Sequence, residues 1–286
     1  MANTVDVTWL HEHLGDEEIV IADCRFILGQ PDAGAEAYAA GHLPGAVYFD
    51  LERDLSGKVG AHGGRHPLPE PEQLARKLSE AGVDDTRLVV AYDDQGGAMA
   101  ARLWWILKYY GHERVRLLDG GLQQWVNAGY PLTRDVPAPK KSVFYPRIQS
   151  HWLVDAGGVK QRLGRADTVL IDSREEKRFW GLEEPIDRVG GHIPGARNYF
   201  WKRVFTPEGL LKEKSALQEL FGGLDARQEI IVYCGSGVTA CPNVLALTEA
   251  GFTNVKLYGG SWSDWISYPD HPIATGPDGS SVEREP

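Results

Sequence analysis

The sequence predicts an α/β protein made of two tandem copies of one domain, each a mainly parallel sheet covered by helices. Three observations predict it. The first is an internal repeat. GHLPGA at 41–46 recurs as GHIPGA at 191–196, VIADCR (20–25) answers to VLIDSR (169–174), VVAYDDQGGAMAARLWWIL (89–107) to IIVYCGSGVTACPNVLAL (230–247), and RVRLLDGGLQQW (114–125) to NVKLYGGSWSDW (254–265). The second is that the short apolar runs are continuous rather than alternating, which suits strands covered on both faces. The third is that these runs alternate with helical spacing, the pattern of an α/β domain. A length of 286 residues agrees with two domains of roughly 100–200 residues each.

Taken in order, Ile19–Asp23, Leu88–Tyr92 and Val115–Leu118 are the strand runs of the first copy. Glu70–Ala81 (EPEQLARKLSEA) has apolar residues three and four apart and ends before Gly82, as a helix does. Ala98–Tyr110 is a longer helical pattern stopped by Gly111. The stretch VPAPKKSVFYP lacks periodicity and reads as a linker, so the expected division is 1–135, a linker over 136–148, and 149–286. In the second copy the strand runs are Val169–Asp172, Ile230–Tyr233 and Val255–Leu257. A helix is expected over Val238–Ala250, closed by Gly251. The tail 274–286 is rich in Gly, Ser and charge and reads as flexible.

Composition narrows the function classes. A hydrophobic content of 42% and a charged content of 24% are ordinary for a globular protein, and the net charge of −10 disfavours nucleic acid and anionic membrane partners. No apolar run approaches the roughly 20 residues of a membrane span, and the acidic N-terminus lacks a secretory pattern. Three cysteines, Cys24, Cys234 and Cys241, do not make a disulfide framework. A cytoplasmic, reducing compartment and a monomer are expected.

The stretch IIVYCGSGVTAC carries the chemistry. Ligands of parallel sheets bind beyond the carboxyl ends of the strands, and Cys234 lies at such an end. Gly235 and Gly237 let the backbone turn its N–H groups inward as an anion-binding nest, and the following helix adds its positive end. Such surroundings favour a thiolate. The plain alternative is a buried thiol at a strand end. The repeat separates the two readings, because the first copy has Asp93 where the second has Cys234. One copy keeps the scaffold and the other carries a nucleophile.

These residues together resemble the two-domain rhodanese-like sulfurtransferases, which use thiosulfate or 3-mercaptopyruvate. The resemblance implies a noncatalytic first domain, a catalytic second domain, a persulfide on Cys234, and neither organic cofactor nor metal. It implies that Gly235, Gly237, Val238 and Thr239 of the loop bind substrate. Thiosulfate enzymes carry basic residues directly after the cysteine, whereas Gly-Ser-Gly resembles the mercaptopyruvate type. Arg178 and Arg188 correspond to substrate-binding arginines, and their forks suit a carboxylate. The segment 49–69 resembles one that lends an acid and a histidine to a relay with the loop serine. Carried over, these are His66, Ser236 and Glu52, with Asp50 or Asp54 as alternative acids and ordering of the loop as the plain reading of His66. The implied partners are a small anionic sulfur donor and an acceptor thiol such as thioredoxin, or cyanide.

Rival chemistries leave other marks. A cysteine phosphatase needs an arginine six positions after the nucleophile, where this chain has Ala240. A thiosulfate:cyanide sulfurtransferase and a persulfide carrier without turnover are the remaining alternatives. His42 and His192 recur in both copies and read as turn-building residues. Cys24 and Cys241 read as packing, Arg174 as a structural ion pair, and Trp262 and Trp265 as core.

Overall fold

The computed structural model describes residues 3–277 and 280–282. It divides into two compact units, one of 1–57, 68–149 and 205–212, the other of 58–67, 150–204 and 213–286. Each short segment therefore belongs with the unit of the opposite half of the sequence, which no linker signal in the composition announces.

In the first unit, strands β1 (Thr4–Val5), β2 (Ile19–Asp23), β3 (Val47–Tyr48), β4 (Leu88–Tyr92) and β5 (Val115–Leu118) form one sheet in the order β1-β5-β4-β2-β3. All its pairings are parallel. The second unit repeats this with β6 (Leu153–Val154), β7 (Thr168–Asp172), β8 (Arg197–Asn198), β9 (Glu229–Tyr233) and β10 (Val255–Tyr258), ordered β6-β10-β9-β7-β8 and again parallel. The expected α/β fold is observed in both. The two-residue edge strands were too short to read from periodicity. The tail contributes β11 (Ile273–Thr275), which pairs antiparallel with β12 (Ser280–Val282). The rest of the expected flexible tail, 278–279 and 283–286, lies outside the described residues.

The central strands are buried along nearly their whole length, as continuous apolar runs require. Helices at Pro71–Glu80 and Ala98–Tyr109 match the first-copy expectations to within a residue at each end. The helix expected from Val238 starts instead at Cys241, with Pro242 in its first turn. The residues after Cys234 turn back so that the Gly237 amide meets its sulfur, and the helical ladder begins only with the Ala240 carbonyl, which accepts from the Val244 N–H at 3.1 Å.

The repeated motif ties each turn to a strand end. In the first unit Arg25 grips Asp23 at 2.6 Å and the Gly41 carbonyl at 2.8 Å. The Leu43 N–H donates to the Tyr92 hydroxyl, which donates to Asp23. In the second unit Arg174 does the same with Asp172 and the Gly191 carbonyl, both at 2.6 Å, and the Ile193 N–H donates to the Tyr233 hydroxyl. Arg174 also stacks over Trp262 at 4.7 Å. A buried arginine fully paired in this way organises the fold and has no charge to spare for a ligand. Burial raises the Tyr233 hydroxyl far above its ordinary range, keeping it a neutral donor and acceptor. His42 and His192 donate from Nδ1 to the carbonyls of Tyr38 and Phe179, each at 2.8 Å, and close the turns.

Candidate active site

Cys234 follows β9 directly and is buried. The Gly237 N–H donates to its sulfur at 3.2 Å. Gly237 can turn its amide inward because it sits at φ +79°. Its carbonyl accepts the Cys241 thiol at 3.4 Å, which fastens the loop to the first turn of the helix. The Cys234 N–H donates to Ser261 Oγ at 3.1 Å. The Cys234 and Gly235 carbonyls accept from the Trp262 and Ser263 N–H groups, both at 2.9 Å. The loop is thus clamped by the glycine turn that follows β10.

Ser261 was not singled out from the sequence. It is the one non-glycine with left-handed backbone among the described residues, at φ +56°. Gly121, its counterpart in the repeat, has the same φ. A serine in a glycine's conformation costs about 1–3 kcal/mol, offset here by its hydrogen bonds to the Cys234 backbone and to the Tyr258 carbonyl. The signal was present in the aligned blocks, as a serine opposite a glycine.

The first unit shows what this loop is built to hold. The Asp93 carboxylate accepts four backbone N–H groups, from Gln95, Gly97, Met99 and Ala100, at 2.8–2.9 Å. Burial nevertheless pushes the Asp93 carboxyl upward. The strand-end loop is an anion cradle, filled by its own side chain in one unit and offered to the Cys234 sulfur in the other. Cys24, by contrast, is fully buried, and burial with Asp23 beside it raises its thiol well above the ordinary range. It is a packed thiol.

Ser236 Oγ lies 2.8 Å from His66 Nδ1 in a hydrogen bond, and both side chains are buried. His66 reaches the loop because 58–67 lies along the Gly260–Tyr268 stretch of its own unit. The Gly63 N–H donates to Asp264 at 2.7 Å and the Arg65 N–H to Ser263 Oγ at 3.1 Å, while His62 bonds Ser267 Oγ at 2.7 Å and stacks on Tyr268. Glu52 belongs to the other unit, where its side chain is exposed and its N–H donates to Asp50. Asp50 and Asp54 in that unit hold turn amides, and Asp54 pairs with Lys77 at 3.1 Å.

The arginines are arranged differently from the expectation of a simple pair. Arg178 lies beside the loop, with Nη2 at 3.6 Å from where a Cβ on Gly235 would stand. It makes a bidentate pair with Glu184 and bonds Asp187 at 3.2 Å. Arg188 donates from Nη2 to the Ile266 carbonyl at 2.7 Å. Arg65, unremarked in the sequence, is ion-paired to Asp187, with Nη2 at 2.9 Å from that same Gly235 position. Its Nε is buried with no hydrogen-bond partner among the described residues. Burial pushes the Asp187 carboxyl up despite both arginines. At Glu184 burial also pushes upward, but the Arg178 bond and the Asp187 and Ile186 amides outweigh it and hold the carboxyl below its ordinary range.

A cysteine at a strand end, an amide on its sulfur, a hydroxyl–imidazole pair and two arginines stand together at the carboxyl end of a parallel sheet in the second unit. The family model described as the Rhodanese-like domain matches residues 6–128 and again 155–268, and the chain belongs to that family. It is 43% identical over 272 residues to a probable 3-mercaptopyruvate sulfurtransferase of Pseudomonas aeruginosa, covering 93% of this chain and 96% of that one. It is 38% identical over 265 residues to a putative thiosulfate sulfurtransferase of Mycobacterium tuberculosis, covering 91% and 92%. Among solved structures, SseA from Escherichia coli, of the 3-mercaptopyruvate group, matches with a TM-score of 0.81 and 35% identity over 92% of this chain and 100% of that one. Among the described residues, no helix is long and apolar enough to cross a membrane.

Proposed function

We propose that this sulfurtransferase takes sulfur from 3-mercaptopyruvate onto Cys234 and passes it to an acceptor thiol such as reduced thioredoxin, or to cyanide in vitro. The observation that carries the reading is the loop itself. Gly237 donates to the Cys234 sulfur, and the residues directly after the cysteine are Gly235 and Ser236, not cations. A carboxylate donor is then held further out by arginine forks.

In the proposed cycle Arg178 and Arg65 hold the donor carboxylate beside Gly235, and Arg188 is the outer arm of the same clamp. Gly235, Gly237, Val238 and Thr239 shape the loop around the donor. The Cys234 thiolate attacks the donor sulfur, and the carbon–sulfur bond breaks with its electron pair leaving on the pyruvate enolate. The enolate takes a proton, which the donor thiol supplies through Ser236 and His66. The loop amides then stabilise the Cys234 persulfide, and the acceptor thiolate attacks its outer sulfur to restore Cys234. The first domain, with Asp93 in the matched place, is noncatalytic. We assign the enzyme to the cytoplasm, where thiols stay reduced, as a monomer.

Steady-state kinetics with both donors test the reading. A higher kcat/KM for mercaptopyruvate is expected, together with loss of turnover in Cys234→Ser. A mass gain of roughly 32 Da, one sulfur, is expected on the wild-type protein alone. A clear preference for thiosulfate overturns the donor assignment. That second reading is favoured by two arginines so near the loop, and by the thiosulfate name of the mycobacterial relative.

A further inference from the structure

The two arginines nearest the nucleophile do not present two positive charges. Asp187 divides its carboxylate between them, one oxygen to Arg65 and the other to Arg178, and its side chain is only 4% exposed. Glu184 takes the rest of Arg178 in a bidentate pair and also reaches Arg174 at 3.2 Å. Arg174 is already matched by Asp172. The arginines around Gly235 are therefore balanced by carboxylates before any donor arrives. Asp187 is the acid beside Gly235, with Oδ2 at 3.8 Å from its Cβ position. Its backbone N–H donates to Glu184, so the acid is fixed in place.

We propose that Asp187 is a specificity residue that sets the charge of the donor this site accepts. A buried carboxylate bound to both arginines leaves enough positive potential to orient a monoanion but repels the second charge of a dianion. Selectivity by an attractive element set against a repulsive one is a general device of recognition. The arginines keep donor atoms to offer: Arg65 spends Nη1 on Asp187, turns Nη2 toward Gly235 and has an unpartnered buried Nε. A donor carboxylate can take Nη2, the atom beside Gly235, without displacing Asp187 from Nη1. The inference rests on the donor reading above and names the side chain that enforces it.

The test is the ratio of kcat/KM for thiosulfate over 3-mercaptopyruvate in the full-length protein, for wild type, Asp187→Asn and Asp187→Glu. Both donors meet the same folded molecules, so a loss of folded protein cancels. Asp187→Asn keeps the shape and removes the charge, and should raise the ratio about tenfold, the effect of one screened charge at short range. Asp187→Glu keeps the charge and should leave the ratio near the wild-type value. An unchanged or lowered ratio in Asp187→Asn overturns the proposal. If that variant does not fold, the wild-type protein decides through competition against mercaptopyruvate at fixed ionic strength. Pyruvate, a monoanion, should inhibit more tightly than sulfate, and tighter inhibition by sulfate overturns the proposal. A wild-type preference for thiosulfate sinks the donor reading. The direction of the ratio change in Asp187→Asn judges the role of Asp187 whichever donor is preferred.

Discussion

Two glycines of the Cys234 loop should respond very differently to a single added methyl group. Gly237 sits at φ +79°, where an alanine costs about 1–3 kcal/mol. A Cβ there would also overlap the Gly259 carbonyl oxygen and stand 3.0 Å from its carbon. That carbonyl cannot retreat freely, because the turn after it holds the loop through the Trp262 and Ser263 amides. Losing one such bond costs about 1 kcal/mol, so Gly237→Ala should lose about 2–4 kcal/mol. At a few degrees per kcal/mol the melting temperature of that unit should drop by about 5–12 °C. The same shift moves the N–H away from the Cys234 sulfur, and turnover should fall about 100-fold, as when an oxyanion-hole donor is lost. Gly235→Ala has one tight contact, Arg65 Nη2 at 2.9 Å at the far end of its side chain, with Arg178 Nη2 and Asp187 Oδ2 at ordinary van der Waals distance, and has no left-handed strain. It should melt within about 2 °C of wild type and change KM by a few fold. Calorimetry and donor kinetics on the two variants decide it. Equal losses in both, or an unchanged Gly237→Ala, would refute the reasoning.

Replacing Asp93 by alanine should destabilise the first unit by about 3 kcal/mol, since four backbone amides, those of Met99 and Ala100 buried, lose their acceptor; denaturant unfolding of the variant measures it. Arg178→Ala should raise KM for mercaptopyruvate at least about tenfold, while Arg188→Ala, whose guanidinium is engaged with the Ile266 carbonyl, should change it by less than about threefold. Equal effects in the two variants would argue for an inner place for Arg188. The Glu184 carboxyl is held low, so its ion pairs stabilise the fold above the unfolded carboxylate pKa, and that contribution is lost as pH falls through the folded value. Between about pH 5 and 3 the wild-type protein should therefore lose stability that Glu184→Gln, already lacking it at neutral pH, does not lose. Circular dichroism at graded urea and pH reads this out. Parallel curves for the two proteins would show that Glu184 carries none of the acid sensitivity.

The parts of the protein legible in the chain are those governed by local rules. Continuous apolar runs mark strands covered on both faces, so β2, β4, β7 and β9 could be placed almost to the residue. The repeat exposed the contrast between Asp93 and Cys234, and a strand-end cysteine followed by glycines marked the loop whose Gly237 amide meets the Cys234 sulfur. The helix start at Cys241 was misplaced by three residues, because a loop folded around a sulfur atom carries the same small and apolar residues as a helix entry. Arg65 and Asp187 escaped notice for another reason. Neither has periodicity or a motif of its own, and a charged residue in a polar segment reads as a solvated surface until a partner is found.

What this sequence determined alone is the duplicated α/β scaffold, the place of Cys234 at a strand end and the family to which the chain belongs, since each follows from patterns of neighbouring residues. What only the tertiary structure decided is the charge and reach of the site. Asp187 is separated from Arg65 by more than a hundred positions, yet shares its carboxylate between Arg65 and Arg178. The segment 58–67 lies with the second unit and brings His66 to Ser236. Electrostatic balance depends on distances in space, and folding sets these through contacts that the order of residues along the chain does not display.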